Sequence, residues 1–295
     1  MSMLSISGIT FVRNGIERGY PFLEAIRTLS QLCDEVVVAV GDSTDGTREA
    51  IAEANIPNVR ILDTHWDDTN HQGGTELARQ TMIALRNAIG TWCLYLQADE
   101  IIHEDDYALL REEIKKADRD PKVEALLFRW LHFYGTYDYI GVGRQWYRRE
   151  IRAFRNTGKV ISWGDAQGFR TRDDRGRVRK LRARQTEVRI FHYGWVRPPQ
   201  AWKAKHVAFH RLYNAESPPP FDTPDGFPHI CYELAPFQGT HPAVMQRRIE
   251  HDRSWTAQFD PTIRPRKPLL VALSDWIERH TGWRIGEYRN FIEIR

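Results

Sequence analysis

Short apolar runs alternate with amphipathic helical patterns over the first hundred residues of this chain. The runs with the length and composition of strands are Ser5–Val12, Glu35–Val40, Val59–Leu62 and Thr91–Gln97. Between each strand and the next, apolar residues recur at helical spacing. Strands and helices alternating at this spacing predict right-handed βαβ units around a mostly parallel sheet. The chain is therefore expected to have an α/β fold.

Two of these predicted strands end in acidic segments. Gly41–Thr47 follows the second strand, and Asp99-Glu100 follows the fourth. Ligands on parallel sheets bind beyond the carboxyl ends of the strands. Both segments are therefore expected to open into one crevice.

Residues 120–190 have a different pattern. Val123–Tyr134 predicts a long strand rich in apolar and aromatic residues, and Gly168–Ile190 predicts a charged β-hairpin. Between them, Arg144–Arg155 carries five arginines among aromatic residues. This segment could be a solvated face, a phosphate clamp or a surface toward an anionic lipid-linked acceptor. The default expectation is a largely solvated face with one or two functional arginines.

The composition shifts again near residue 217. Pro218-Pro219-Pro220 and further prolines mark a boundary. Helical patterns follow around Val244–Trp255 and Leu269–Trp283. We therefore predict one domain over residues 1–215 and a Pro-bounded, mainly helical C-terminal extension over residues 216–295.

Composition and charge narrow the class of protein. Hydrophobic residues make up 41% and charged residues 27% of the 295 residues, which is globular, and the formal net charge of +3 gives no reason to expect a nucleic-acid partner. The three cysteines lack Cys-x-x-Cys spacing and predict buried free thiols in a reducing compartment. No signal-like segment or run of ~20 apolar residues is present. We expect a cytoplasmic protein and leave open a peripheral contact with the inner face of the membrane.

The strongest chemical signal is Tyr95–Glu100, an apolar strand ending in adjacent carboxylates. Carboxylate oxygens suit Mg²⁺ or Mn²⁺, which complete their coordination with substrate phosphates and water. A strand end would hold such a ligand rigidly beside the crevice. More acidic residues follow at 104–106, so a solvated acidic loop is the alternative.

Two motifs resemble those of the family 2 glycosyltransferases, which have the GT-A fold. Val40–Thr47 resembles their Asp-Asp-Gly-Ser-Thr-Asp-Gly-Thr turn, and Gln97–Glu100 resembles their Asp-x-Asp metal motif. The resemblance covers residues 5–105 and extends more weakly to about residue 215. It implies a Rossmann-like GT-A domain and a nucleotide diphosphate sugar donor, with a UDP-sugar expected. It also implies a divalent metal (Mn²⁺ or Mg²⁺), whose ligands would come from Asp99, Glu100 and His192, and a nucleotide held by Asp42, Ser43 and Asp45.

The chain departs from the family pattern at both motifs. The paired acids that contact base and ribose in the family align with Val40 and Gly41, and Asp42 is the nearest substitute. Gln97 stands in place of the first acid of the metal motif, whereas Asp99 retains the last acid, which usually binds the metal directly. These departures leave the base selectivity open and predict a metal site with a thinner anionic shell.

Basic residues elsewhere provide further nucleotide contacts in this interpretation. Gly73–Thr75 leads into a helix with Arg79, which resembles the family's basic residue over the nucleotide. An ordinary helix cap with a surface arginine is the alternative. Lys203 and Lys205 could neutralise phosphate oxygens as point charges.

The resemblance also suggests a general base and a late histidine. An inverting transferase needs a carboxylate to take the proton of the attacking hydroxyl. Asp165, beside glycines and Trp163, suits that role; the alternative is an aspartate in a glycine turn, hydrogen-bonded to its own backbone. His192 matches the histidine that GT-A enzymes bring to the metal or diphosphate, and the alternative is a packed, hydrogen-bonded histidine.

The resemblance implies an inverting hexosyl- or related sugar transferase. Its acceptor would be a hydroxyl of a carbohydrate or lipid-linked glycan, and analogy suggests a role in bacterial surface polysaccharide or lipopolysaccharide synthesis. One rival is a nucleotidyltransferase of related fold, for which Val12–Gly15 after the first strand is too short a triphosphate cradle. The other is a non-catalytic module that binds glycan or single-stranded nucleic acid and is indifferent to metal and to loss of Asp99. The tail, with Trp255, Trp276 and Trp283, could serve the acceptor, a dimer contact or a membrane surface.

Overall fold

One large mixed sheet forms the centre of the molecule. The computed structural model describes residues 3–214, 223 and 225–294. The strands are β1 (Ile6–Val12), β2 (Glu35–Val40), β3 (Val59–Asp63), β4 (Trp92–Tyr95), β5 (Glu100–Ile102), β6 (Ala125–Tyr134), β7 (Tyr139–Gly141), β8 (Arg149–Arg155), β9 (Val160–Trp163), β10 (Gly168–Arg172), β11 (Val178–Trp195), β12 (Leu234–Pro236) and β13 (Phe291–Ile294). The helices are α1 (Phe22–Leu32), α2 (Thr47–Glu53), α3 (Thr75–Arg86), α4 (Tyr107–Arg119), α5 (Pro199–Tyr213), α6 (Gln246–Thr256) and α7 (Leu269–Thr281).

The predicted βαβ units and the α/β fold class are confirmed. Strands β1 to β4 run parallel in the order β3-β2-β1-β4, and α1, α2 and α3 connect them. Residues of β2 are covered on both faces: Val36, Val38 and Val40 join one buried cluster, and Val37 and Ala39 join another. A β-branched run without polar alternation is what such a doubly covered strand requires.

The second half of the sheet is mixed. It continues from β4 through β8, β6 and β11 to the hairpin strands β10 and β9. Strand β8 is antiparallel to both neighbours, whereas β6 and β11 are parallel to each other. The predicted hairpin is confirmed, because β10 and β11 pair antiparallel around a turn at residues 173–177.

The expectation of a largely solvated face over Arg144–Arg155 is wrong. Most of this segment is β8, an interior strand of the sheet. Arg152 is fully buried against Glu100, Arg148 pairs with Glu278 and Glu287, and Arg155 pairs with Asp118. The arginines can enter the interior because acids from distant elements satisfy them.

The C-terminal helices α6 and α7 confirm the two helical patterns. The prolines at 218–220 lie outside the described residues, and the division at 215/216 stays a prediction. Residues after it pack onto the main sheet: β13 pairs with β11, and Asp252 accepts a hydrogen bond from Tyr137 at 2.6 Å. All three cysteines are buried and free, as predicted. In the part of the chain that the structure describes, no helix has the length and apolarity to cross a membrane.

Candidate active site

A cavity of about 850 Å³ lies beyond the carboxyl ends of the parallel strands. Its walls come from residues 11–14 at the end of β1, residues 66–68, 70 and 71 after β3, Gln97–Asp99 after β4, and one face of α5. Thr44, from the predicted nucleotide turn, lines the same cavity as Asp99. The two acidic segments therefore do open into one crevice, as their places after parallel strands predict.

Asp99 is the carboxylate at the inner end of this cavity. It is only 6% exposed, yet its side chain accepts no hydrogen bond from any residue that the structure describes. The nearest basic atoms are His192 Nε2 at 3.8 Å, Arg197 Nη2 at 3.9 Å and Lys205 Nζ at 4.0 Å. Buried carboxylates normally accept hydrogen bonds. The lone pairs of Asp99 are therefore open to a ligand in the cavity.

The contact between His132 and His192 determines which ring nitrogen of His192 carries the hydrogen. The Tyr147 carbonyl lies 2.9 Å from His132 Nε2 and can only accept, so that nitrogen carries the hydrogen. Burial, with the neighbouring His192, lowers the pKa of His132 well below its usual range, so the ring is neutral and its Nδ1 accepts. His132 Nδ1 is 3.0 Å from His192 Nδ1, which must therefore donate.

As a result, an unprotonated ring nitrogen of His192 faces the Asp99 carboxylate. Burial, followed by the charge of Lys205, lowers the pKa of His192 well below its usual range, so this ring is also neutral. With hydrogen on Nδ1, its Nε2 presents a lone pair toward Asp99 Oδ1. Two lone pairs that face each other without a proton between them are an arrangement that a cation stabilises. Asp99 and His192 thus fit a metal ion.

The structure does not bring Glu100 to this cavity. Glu100 is fully buried, and both of its oxygens accept hydrogen bonds of 2.7 Å from the Arg152 guanidinium. One oxygen also accepts from the Gln97 amide at 3.1 Å. The carboxylate therefore anchors the turn after β4 and does not fit the role of metal ligand. Among the described residues, no group of three or more His, Cys, Asp or Glu side chains could hold a metal ion.

The predicted nucleotide turn is held mainly by its own side chains. Ser43 accepts a hydrogen bond from the Asn14 amide, and Asp45 accepts from Thr47 and from the Glu17 amide. Burial opposes ionisation of Asp45, but the bonds from Thr47 and Glu17 outweigh it and lower its pKa. Ser43 and Asp45 therefore shape the turn against the end of β1.

Asp42 lies at the edge of the turn with two basic partners. Its oxygens are 3.2 Å from Arg13 Nε and 2.9 Å from His65 Nδ1. Since Arg13 lines the cavity, Asp42 is connected to the cavity through that side chain. A direct contact of Asp42, Ser43 or Asp45 with a nucleotide stays a prediction.

The three predicted basic residues lie in different surroundings. Arg79 makes two hydrogen bonds, of 2.7 and 2.6 Å, to the buried Glu76, so its guanidinium is already occupied. Lys203 is exposed and lines the cavity. Lys205 lies deeper, donates to the Gly194 carbonyl at 2.8 Å, and has a pKa lowered well below its usual range by burial, then by Arg197. Lys203 is thus the best placed of the three for a bound phosphate.

Hydrogen bonds connect the segment of Asp165 to residues at the edge of the cavity. Its Oδ2 accepts a hydrogen bond of 2.8 Å from the Tyr213 hydroxyl, and Tyr213 follows the cavity residue Leu212 on α5. Gln97, which lines the cavity, donates to the carbonyl of Ala166 at 3.4 Å. The segment of Asp165 therefore adjoins the metal-motif end of the cavity, which is a suitable place for an acceptor.

Several residues that line the cavity near the turn were not predicted from the sequence. Trp66 is largely buried in its wall, and its indole Nε1 has no hydrogen-bond partner among the described residues. The Arg13 guanidinium lies 5.4 Å from the Trp66 ring and binds Asp68 at 2.5 and 3.0 Å. Arg18 donates to the Arg13 carbonyl at 3.1 Å. The signal was available, because these residues directly follow β1 and β3 at the edge where ligands bind.

Comparisons with known proteins agree with this fold. A family model described as "Glycosyl transferase family 2" matches residues 16–177, which is more than half of the chain. No curated protein sequence matches the chain.

The solved structures to which the chain shows some similarity include two of S. aureus TarS 1-349. The structure in complex with UDP is 15% identical, covers 68% of this chain and 63% of that one, and has a TM-score of 0.39. The structure in complex with UDP-GlcNAc is 18% identical, covers 52% and 46%, and has a TM-score of 0.36. Glucosyl-3-phosphoglycerate synthase from Mycobacterium tuberculosis, in complex with Mn²⁺, UDP and phosphoglyceric acid, is 17% identical, covers 44% and 43%, and has a TM-score of 0.30. The chain spans less than two thirds of the length of each.

Proposed function

This chain belongs to glycosyl transferase family 2, and from that premise we propose that it moves a sugar from a nucleotide diphosphate donor to an acceptor hydroxyl with inversion. A UDP-sugar is the proposed donor, and a carbohydrate or lipid-linked glycan is the proposed acceptor. The observation that carries the proposal is the Asp99 carboxylate, which lines the cavity and accepts no hydrogen bond from the residues that the structure describes. A hexosyl group, a role in surface polysaccharide synthesis and a cytoplasmic location are further parts of the proposal.

The nucleotide would occupy the end of the cavity near Trp66. Trp66 lines the wall and offers an aromatic surface to a base, whereas its Nε1 is buried and lies against Gly41. Three basic residues of the lining, Arg18, Lys203 and Arg211, have no acidic partner among the described residues. They would bind the phosphate oxygens by charge-assisted hydrogen bonds.

Asp99 and His192 would hold a divalent metal, Mn²⁺ or Mg²⁺. When bound, such an ion supplies Lewis-acid stabilisation of the charge that develops on the departing diphosphate. The protein's contribution is the orientation of the ligands. His132 fixes the tautomer of His192, and the turn anchored by Glu100 and Arg152 fixes Asp99.

Asp165 would act as general base at the acceptor. As the acceptor oxygen bonds to the anomeric carbon and the bond to the diphosphate breaks, the hydroxyl proton passes to the Asp165 carboxylate. Tyr213 donates to Oδ2 and would leave Oδ1 for this proton. Burial, then the hydrogen bond to Asp165, raises the pKa of Tyr213, so its hydroxyl remains a donor at neutral pH.

Thermal unfolding with UDP, GDP, ADP and CDP, each with and without Mn²⁺, tests the donor assignment. UDP with Mn²⁺ is expected to raise the midpoint by several degrees, since a ligand at a hundred times its Kd adds about 2.7 kcal/mol. Trp66→Ala should weaken UDP binding about tenfold, because stacking of a base on an aromatic ring contributes ~1–3 kcal/mol.

Trp163→Ala is the matched control, because this half-exposed tryptophan lies in the proposed acceptor segment. It should leave the UDP-dependent shift unchanged. If no nucleotide shifts the midpoint of the folded wild type, the transferase proposal fails and a non-catalytic binding module takes its place.

His132→Phe tests the histidine pair. This change keeps a ring beside Trp146 but removes the acceptor for His192 Nδ1. We expect the affinity for Mn²⁺, titrated in the presence of UDP and followed by electron paramagnetic resonance, to fall ~10–100-fold. His241→Phe is the control. His241 is half-buried and hydrogen-bonded to Tyr193 and Tyr137, and its replacement should leave the Mn²⁺ affinity unchanged. Equal Mn²⁺ affinity in His132→Phe and wild type would show that His132 does not orient a ligand.

A further inference from the structure

Helix α7 presents the wrong face to the protein for an ordinary amphipathic helix. Its polar residues Ser274 and Asp275 are 6% and 3% exposed, whereas Leu269, Leu270, Leu273 and Trp276 are 82%, 82%, 56% and 57% exposed. A surface helix of a soluble protein normally turns its apolar stripe to the core. Here the apolar stripe faces outward.

Hydrogen bonds explain why the polar face is inside. Asp275 accepts from the Arg144 amide and from Lys267 Nζ, both at 2.9 Å. Glu278 lies 3.2 Å from Arg148 and 2.7 Å from Arg284. These bonds satisfy the acids of the helix, and they fix its rotation so that the leucines cannot turn inward.

The exposed residues form one continuous stripe. Leu269, Leu273 and Trp276 recur at i, i+4 and i+7 and therefore share a face of the helix. Leu270 flanks them, and Trp283, which is 62% exposed, follows two residues after the helix ends. We call Leu269, Leu270, Leu273 and Trp276 the α7 apolar stripe. Exposed apolar patches of this kind mark interaction sites.

The charges around the stripe are basic. Arg264 and Arg266, just before the helix, are exposed and have no acidic partner among the described residues. Arg279 and His280 lie at its other end and are also exposed, although Arg279 contacts Glu233 at 2.8 Å. The acids of α7 are occupied on its inner face. The arginines without an acidic partner among the described residues therefore lie at the amino end of the helix, and no acid of α7 faces outward to neutralise them.

The α7 apolar stripe and the basic residues beside it indicate what kind of partner binds there. A second copy of the chain, docked stripe to stripe, would offer these arginines no free acid of α7, because Asp275 and Glu278 are paired on the inner face. An anionic lipid surface instead offers both an apolar layer for leucine and tryptophan and negative headgroups for the flanking arginines. A helix of 13 residues is too short to cross a bilayer, which takes ~20, but long enough to lie in its interface.

We propose that α7 docks the protein on an anionic lipid bilayer, with the α7 apolar stripe in the boundary between headgroups and acyl chains. The leucines and Trp276 would leave water, and Arg264, Arg266 and Arg279 would face the headgroups. This inference does not depend on the transferase reaction. It does suit a lipid-linked acceptor, because docking would place the protein on the surface where such an acceptor lies.

Co-sedimentation of the full chain with vesicles tests the proposal. We expect binding to vesicles of phosphatidylcholine and phosphatidylglycerol (7:3), with weak binding to phosphatidylcholine alone and weaker binding at high salt. Leu273→Glu with Trp276→Ser should abolish it. Arg264→Gln with Arg266→Gln should lower it about 30-fold, since each basic residue near an anionic surface contributes about fivefold. The emission of wild-type tryptophan should shift to the blue on binding.

Ile89→Glu is the matched control, because Ile89 is 85% exposed outside α7 and has no role in the proposed surface. It should bind vesicles as the wild type does. The proposal is overturned if the stripe variants bind anionic vesicles like wild type, or if wild type fails to bind them at low salt. It is also overturned if the stripe instead mediates a dimer that Leu273→Glu dissociates without any lipid binding. The UDP-dependent shift in the same variants reports separately on the donor site.

Discussion

Asp99→Asn is expected to remove the Mn²⁺-dependent part of the UDP stabilisation and to slow UDP release from UDP-sugars about 1,000-fold. The asparagine keeps the volume of the side chain but loses its negative charge and one acceptor oxygen. Because the Asp99 side chain accepts no hydrogen bond among the described residues, this change breaks no such bond. A metal ligand contributes several kcal/mol to a transition state in which charge develops, which corresponds to a factor of this size. Thermal unfolding and initial rates measure the two effects.

Asp105→Asn provides the comparison for that variant. Asp105 is an acid of the same stretch with a side chain that is 71% exposed. Loss of its charge should leave the Mn²⁺-dependent shift intact. If Asp99→Asn behaves like Asp105→Asn, the acidic stretch is only a solvated loop and the proposed metal site is wrong. If the Asp99→Asn protein is folded and still binds UDP in the absence of metal, the lost stabilisation and rate are due to the missing metal ligand alone.

The position of Asp99 could be predicted, but the direction of Glu100 could not. A carboxylate after a buried parallel strand lies at the ligand edge of the sheet by topology alone. Adjacent residues of a turn point in different directions, however, and what fixes Glu100 is Arg152, on β8 and 52 residues away. The sequence suggested a solvated face for the segment of Arg152. Without the order of strands β4, β8 and β6, that pair could not be found.

The contact between the two histidines depends on the pairing of strands that are still farther apart in the sequence. His132 and His192 are direct neighbours in the parallel register of β6 and β11, although they are 60 positions apart in the chain. The resemblance suggested His192 alone, because a family motif names a ligand but not the residue that orients it. The register of two distant strands is decided by the whole sheet, so the partner appears only in the structure.

Helix α7 shows a further limit of periodicity. Leu269–Trp283 predicts a helix correctly, since the spacing of apolar residues is a local property. An apolar stripe on a surface helix usually faces the core, and here it does not. Arg144, Arg148 and Arg284 bind the polar face of the helix and turn it inward. The direction of an amphipathic face depends on partners that the helix itself does not encode.

Asp165→Asn is expected to lower kcat ~10²–10⁴-fold while UDP binding with Mn²⁺ stays at its wild-type value. General base catalysis contributes a factor of this size, and an amide cannot take the acceptor proton. Asparagine can still accept the hydrogen bond from Tyr213, so the segment should keep its conformation. Tyr213→Phe is the informative partner: it removes that bond but leaves the carboxylate, and kcat should fall far less. Initial rates with carbohydrate acceptors and thermal shifts with UDP separate the two effects. Should Asp165→Asn retain wild-type kcat, the proton of the acceptor must go to another group, and Asp165 would be only the cap of its glycine turn.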